Sequence, residues 1–456
     1  MFVQQGHAQT LFKRHYWINP LSYNHTLYPT SDGGYILAAA RQELGAGLKN
    51  TIAVLKLDAA YQTQMTRIIG LPGGEDFNRE VDFEVHDVIE TINNGFYVIC
   101  GSIRHITDEG VLVECGMVTI IDMGLNVQSI REYPEVETFY SVYSEDNHYY
   151  VCGKTKNEEG TVLQDDIFGL NPIVWITHDK WIYHKIRIKT KPLYTFIVSC
   201  TDGREIGYTA FDFSGGNLVP VNTTGIDESW KIAQPLYPNS KAIITNYPGN
   251  ALGLILSASD GNNIYTYLFD QYQPTSMPML FTAFSIPCSG IIEDINCSPN
   301  KLAWVGNYPM QTAFYLSLTM SVPGIMMPGF LGNISVPFIN FNPHPPMDMA
   351  YYSLHKVHYN KNFDLKFHAG GFYHYGRNNN RTTFVVAPEQ AIEYCGDVKI
   401  EYTTEFTPPL PLIPLPLIMK DTPVNDIERT DREINFCPTE CDDEFGENNQ
   451  SCGNNK

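Results

Sequence analysis

Charge is scarce in this chain of 456 residues: Asp, Glu, Lys and Arg together make up 18%, against roughly 25% in an ordinary soluble protein. What charge there is leans one way, with fifty acids against thirty Lys and Arg and a formal net of −20. A nucleic-acid binder needs a basic surface, so nucleic acid is not the expected partner. No uncharged run has the helical character and length of a transmembrane helix. Cysteine is also sparse, ten in the whole chain, far below the density of a disulfide scaffold. A phosphate-cradling Gly-rich loop ending in Lys-Ser or Lys-Thr is missing, and so is a Gly-x-Ser-x-Gly nucleophile elbow.

The composition is filled instead by 28 Tyr, 24 Phe, 35 Gly and 29 Pro. That is the make-up of strands and turns, not of helices. A pattern recurs along the chain: an apolar strand, a Gly- or Asn-containing turn, a second apolar strand, and later a third that ends in Asp. It runs first as Leu27–Thr30, the turn Ser31-Asp32-Gly33-Gly34, Tyr35–Ala38, then Ala53–Asp58. The second copy is Val88–Thr91, Ile92-Asn93-Asn94-Gly95, Phe96–Gly101, then Met117–Asp122. The third is Ser141–Ser144, His148–Gly153 and Ile173–His178, and blurred copies follow at 194–212, 251–270, 301–318 and 371–386.

Units of about 45–65 residues match the span of a four-stranded propeller blade. A blade cannot bury both faces alone, whereas stacking blades around an axis buries each against its neighbours. The expected fold is therefore all-β, a β-propeller of seven four-stranded blades over residues 11–404, with six blades also compatible and two β-sandwich domains as the structural alternative. The strand Leu11–Ile18 is expected to pair into the last blade and close the ring. Cys100, Cys152 and Cys200 each end an apolar run and read as small core fillers.

The run Thr30-Ser31-Asp32-Gly33-Gly34-Tyr35-Ile36-Leu37-Ala38, followed by Val54-Leu55-Lys56-Leu57-Asp58, resembles a repeat of secreted Bacteroidetes propellers that reads roughly TSDGGYILAG…VLKLDSNGN. Ile121-Asp122-Met123-Gly124-Leu125-Asn126-Val127 is similar to the end of that repeat. Ala39 stands where the repeat has its last Gly, and no sorting domain is recognisable near the C-terminus. The resemblance implies a propeller and an extracellular address, secreted or at the cell surface, and carries over no catalytic residue. Gly6 and Ala8 before Gln9 read either as the tail of a leader that begins upstream or as part of an ordinary cytosolic start.

Three stretches depart from the repeat. No charged residue occurs between Lys301 and Asp348, and Val322–Leu331 within it is apolar but broken by Pro and Gly. Such a stretch reads as an irregular loop, either folded over the propeller or exposed as a partner site. If it is exposed, Ile325, Met326, Met327, Phe330 and Leu331 are the candidate interface residues. Residues 405–420 are rich in proline, which favours an extended strap or linker. From Asp421 to Lys456 there are ten acids against Arg429, Arg432 and Lys456, the composition of a mobile acidic tail.

The histidine cluster His355, His358, His368 and His374 lies in strand-like sequence, where residues three apart face opposite sides, so it is not expected to chelate a metal. Asp442-Asp443-Glu444 with Glu447 lacks calcium-loop spacing. The expected function is a non-enzymatic binding or surface-assembly protein that uses propeller-end loops and the apolar insertion to contact a protein or glycan, without catalytic residue, metal or cofactor. The alternative is a secreted polysaccharide hydrolase or lyase with acids drawn from inter-blade loops. Free acids at the mouth of the axis favour the alternative; a flat apolar or aromatic surface favours the binder.

Overall fold

The computed structural model describes most of the backbone of residues 12–156 and, beyond them, individual strands as far as residue 440. Side chains are described chiefly within 26–142, with short stretches near 290–307 and 355–358. The described residues form an all-β protein whose sheets are built from antiparallel hairpins. The first strand, β1 (Phe12–Tyr16), does not pair with its neighbour in sequence. Strands β2 (Leu21–Pro29), β3 (Tyr35–Gln42), β4 (Asn50–Leu57) and β5 (Thr63–Gly70) form one meander, and β6 (Val81–Glu90), β7 (Phe96–Ile106), β8 (Leu112–Asp122) and β9 (Val127–Tyr133) form the next. In the third sheet β10 (Val136–Glu145) pairs with β11 (His148–Thr155), which then takes Ile173–Thr177 as a parallel neighbour.

Further sheets follow, whose innermost strands are His184–Lys189, Ile243–Asn246, Ile291–Ser298 and Tyr351–Tyr359. The last of these sheets recruits β1, which pairs antiparallel with Asn380–Ala387, Phe12 opposite Ala387 and Tyr16 opposite Thr383. The two ends of the repeat array are thus joined by backbone hydrogen bonds, as the sequence leads one to expect for Leu11–Ile18.

The hairpin turns are set by Asp and by left-handed residues. Asp58 Oδ1 accepts the Ala60 and Gln62 amides at 2.8 Å, and Asp122 Oδ1 accepts those of Gly124 and Asn126 at 2.9 and 2.8 Å. This capture is what the strand-ending Asp of the repeat does: it satisfies turn amides that no strand can reach. Both turns place a bulky residue at positive φ, Tyr61 (60°) and Leu125 (62°). Packing offsets that cost, since Leu125 is fully buried and Tyr61 stacks on Tyr35 at 5.1 Å.

Side chains alternate between two buried faces. On the first sheet Ile36, Ala38, Ile52, Val54 and Ile69 meet Val81, Phe83, Val85 and Val88 of the second. The opposite face carries Leu27, Tyr35, Leu37, Ala39, Ala53 and Leu55. The second sheet in turn presents Ile89, Val98, Cys100, Val118 and Ile120 to Val136, Phe139, Val142 and Tyr149 of the third. Sheets buried on both sides by other sheets have strands that read as continuous apolar runs, as observed here. Cys100 is a fully buried free thiol within this layer, in keeping with a core filler.

The innermost strands also touch in succession. Leu21–Pro29 contacts β6, β6 contacts β10, and β10 contacts His184–Lys189. From there contacts run through Ile243–Asn246, Ile291–Ser298 and Tyr351–Tyr359, and the last returns to Leu21–Pro29. Among the described residues no helix is long and apolar enough to cross a membrane.

Within 421–456 the described residues are three short strands. Asn425–Asp426, Thr430–Arg432 and Pro438–Glu440 are short strands on the edges of β9, β5 and β1, where the composition predicts a mobile tail. Two- and three-residue strands add through backbone groups alone, so an acidic composition conceals them.

Five innermost strands share a β-bulge. The register slips between Tyr23 and His25, Val85 and Asp87, Phe139 and Ser141, Ile292 and Asp294, and Leu354 and Lys356. Opposite the residue before the slip stands Gly101, Gly153, Gly306 or Gly371, with Ala40 in the first sheet. At Gly101 a Cβ would lie 1.7 Å from the Glu84 carbonyl oxygen, and at Gly153 1.9 Å from that of Thr138. Replacing Gly101 by Ala is expected to cost about 2–4 kcal/mol in denaturant unfolding. Ala40→Gly should cost less than about 1 kcal/mol, the ordinary entropic penalty of glycine in a strand.

Candidate functional site

A bulge inserts one residue and re-aims the side chains beside it. The inserted residues are Asn24, His86, Tyr140, Glu293 and His355, each followed by the residue that resumes pairing. Wherever side chains are described, the inserted residues are partly exposed and the following ones, Asp87, Ser141, Asp294 and Lys356, are buried. Two layers result at the convergence of the innermost strands.

The deep layer is ionic. Lys356 Nζ lies 3.1 Å from Asp87 Oδ1, which links the last sheet to the second past the first. The same oxygen accepts from Thr26 Oγ1 at 3.3 Å and from the Val88 amide at 3.1 Å, while Oδ2 accepts the Val142 amide of the third sheet at 3.1 Å. Asp294 repeats part of this geometry, accepting the Val357 amide of the next sheet at 3.0 Å. Burial pushes the Asp294 carboxyl up to about 6, against the opposing pull of Lys356 and the Val357 amide. Burial pulls Lys356 down, but Asp87 and Asp294 outweigh it and hold the ammonium above the ordinary lysine value. His358, beside Lys356 and edge-on to Tyr28 at 5.5 Å, is pushed down to about 4 by burial and then by that lysine. It is neutral at physiological pH.

The outer layer consists of neighbouring pairs. His86 lies 5.1 Å from the Tyr140 ring and its Nε2 is 3.4 Å from Glu84 Oε2, an oxygen that also accepts from Ser102 Oγ at 3.1 Å. The His86 contact, ahead of the opposing effect of burial, holds the Glu84 carboxyl below its usual range. Farther round, His355 Nδ1 faces Glu293 Oε2 at 3.8 Å, and Glu293 Oε1 accepts from Asn307 Nδ2 at 3.4 Å. His355 faces Glu293 and His358 lies edge-on to Tyr28, so the two imidazoles have different neighbours.

Adjacent sheets are clamped away from this centre as well. Ser31 donates its amide and hydroxyl to Glu90 across the first two sheets. Beside it Lys56 Nζ binds Asp32 Oδ2 at 2.8 Å. Burial opposes ionisation of Asp32, but the Lys56 and Thr30 hydrogen bonds prevail and hold it at about 2. Arg67 reaches the Leu125 carbonyl at 3.1 Å and Asn126 Oδ1 at 3.0 Å. Trp304 Nε1 donates to buried Ser257 Oγ at 3.0 Å.

Of the interface candidates in the apolar insertion, Ile325, Met326, Met327 and Phe330 lie outside the described residues. Leu331 opens the strand Leu331–Val336, its backbone opposite Met320. The layered centre has little signature in the sequence and is not among its expectations. Its one linear trace is the recurring Gly after Cys or Val, as in Cys100-Gly101, Cys152-Gly153 and Val305-Gly306.

No family model and no curated protein matches the chain. Among solved structures it is similar to the NanB sialidase from Streptococcus pneumoniae, with 10% identity, TM-score 0.41, and coverage of 85% of this chain and 70% of that one. A putative 6-phosphogluconolactonase from Bacteroides uniformis aligns with 10% identity and TM-score 0.31 over 83% of this chain and 88% of that one. Drosophila Semaphorin 2a aligns with 8% identity and TM-score 0.29 over 62% and 53%. These likenesses are too slight for any activity to pass to this chain.

The raised Asp294 value has a definite sign. A carboxyl that binds its proton more tightly folded than unfolded loses stability as pH rises from about 4 to about 6, and the penalty persists above. Asp294→Asn removes that ionisation while keeping an acceptor for the Val357 amide. Its stability relative to the unsubstituted protein should rise by up to about 3 kcal/mol between pH 4 and pH 7.5, measured by urea unfolding. A pH-independent difference would contradict the assignment.

Proposed function

We propose that the chain is a seven-bladed β-propeller that acts as a non-enzymatic binding or surface-assembly protein, secreted or held at the cell surface. The blade count rests on the circuit of innermost strands, which passes through seven sheets before returning to its start. The extracellular address rests on the repeat shared in outline with secreted Bacteroidetes propellers.

The observation that carries the binding role is the use already made of the axial acids. Asp87 accepts on both oxygens from a lysine, a hydroxyl and two amides. A carboxylate buried and held by four donors is placed as a clamp between sheets rather than as a base or nucleophile open to substrate. What the centre offers to a partner is the outer layer: His86 with Tyr140, and Glu293 with His355. Imidazole, phenol and carboxylate groups beside one another give hydrogen bonds and ring contact, which fits a glycan or a polar protein loop. The apolar insertion at 322–346 supplies a second contact in this reading, through Ile325, Met326, Met327, Phe330 and Leu331.

The half-exposed Glu84–His86 and Glu293–His355 pairs keep the alternative of polysaccharide cleavage open to test. The His86→Ala/Tyr140→Ala double variant should lose at least about tenfold in affinity for any glycan captured on an array, with its melting temperature within a few degrees of the parent. Turnover of a polysaccharide by the parent, abolished by Glu293→Gln, would replace the binder with the hydrolase.

A further inference from the structure

The segment after the last repeat does something the repeats do not. Six short strands between residues 398 and 440 each join the outer edge of a different sheet. Val398–Lys399 pairs with Leu331–Val336, and Thr403–Glu405 with Met279–Pro287. Leu417–Met419 pairs with Gly160–Gln164, Asn425–Asp426 with β9, Thr430–Arg432 with β5, and Pro438–Glu440 with β1. The segment therefore visits the sheets in the reverse of their chain order and finishes on the sheet that holds the N-terminal strand.

Among the described residues no strand of the segment joins the sheet of His184–Lys189, Tyr194–Thr201, Ile206–Ser214 and Asn217–Pro220, where Ser229–Ile232 also pairs with Ile206–Ser214. The interval 406–416 lies outside the described residues, is the longest between successive edge strands and contains Pro408, Pro409, Pro411, Pro414 and Pro416. Proline has no amide to add to a ladder.

We propose that residues 398–440 are a belt that fastens the sheets from outside and governs how fast the protein unfolds. The inference rests on edge pairing and is independent of any ligand. Without the belt, closure depends on β1 and on the contacts of the innermost strands, Lys356 with Asp87 among them. With it, six further edges are capped, each by the same continuous segment. A segment whose docking edges lie throughout the preceding chain can pair only after those edges exist. Contacts made late, after the folding barrier, act chiefly on the unfolding rate. Capping also removes outer strand edges from pairing with other chains.

Hydrogen exchange on the unmodified full chain tests this directly. Amides within 417–419, 425–426 and 430–432 are expected to exchange at least about a hundredfold more slowly than in an unstructured chain. Exchange at unstructured rates would overturn the belt. A second test replaces Leu417, Ile418, Thr430 and Asp431 all by Pro, with the corresponding four-alanine variant as control. Since alternate residues donate to a ladder, adjacent prolines remove the donor in either register. The proline variant should unfold in denaturant about tenfold faster than the alanine variant, and equal rates would overturn the proposal. Should the proline variant fail to fold, the exchange measurement on the unmodified chain decides alone.

Discussion

The structure depends on a backbone constraint: an innermost strand bulges by one residue, and the strand beside it must make room. At Gly101 and Gly153 that room is the missing Cβ, whose place lies within 2 Å of a carbonyl oxygen across the sheet. The bulge turns two consecutive side chains toward the convergence of the sheets, the first partly exposed and the second buried. Repeated in five sheets, it builds the layered centre, and the deep layer then ties distant sheets together. Asp87 illustrates the economy of this arrangement, since one carboxylate holds the last, first and third sheets at once.

Burying a lysine with two acids is expensive unless every lone pair and proton is used. Asp87 goes far toward that condition through two amides and a hydroxyl, whereas at Asp294 burial outweighs the pull of Lys356 and the Val357 amide and pushes the carboxyl toward neutrality. The centre is consequently rigid where it is ionic. The surface above it, His86, Tyr140, Glu293 and His355, carries adaptable hydrogen-bonding groups on strands that cannot move far. A fixed base bearing variable polar tips suits recognition, and the loops of such an architecture are free to carry specificity.

Much of the fold is legible in the sequence. The hairpins at Leu27–Ala38, Val88–Gly101 and His148–Gly153 follow from apolar runs flanking Gly- and Asn-rich turns, and the strand-ending Asp58 and Asp122 mark the turns they cap. The pairing of β1 with Asn380–Ala387 follows from the need to close a repeat array. The bulges are not legible, because a one-residue slip leaves the apolar pattern nearly intact and shows only in the glycine opposite. Neither is the link from Asp87 to Lys356, which joins residues far apart in the chain. The belt escapes for a different reason: its strands are too short for any periodicity, and acids and prolines dominate its composition.

The central claim is that innermost strands of non-adjacent sheets meet through the deep layer. A double-mutant cycle on Asp87→Asn and Lys356→Met, followed by urea unfolding at pH 7, tests it most directly. The account predicts a coupling of about 1–3 kcal/mol between the two positions. Additivity within about 0.5 kcal/mol would contradict it, since residues on opposite sides of an unconverged array have nothing to exchange.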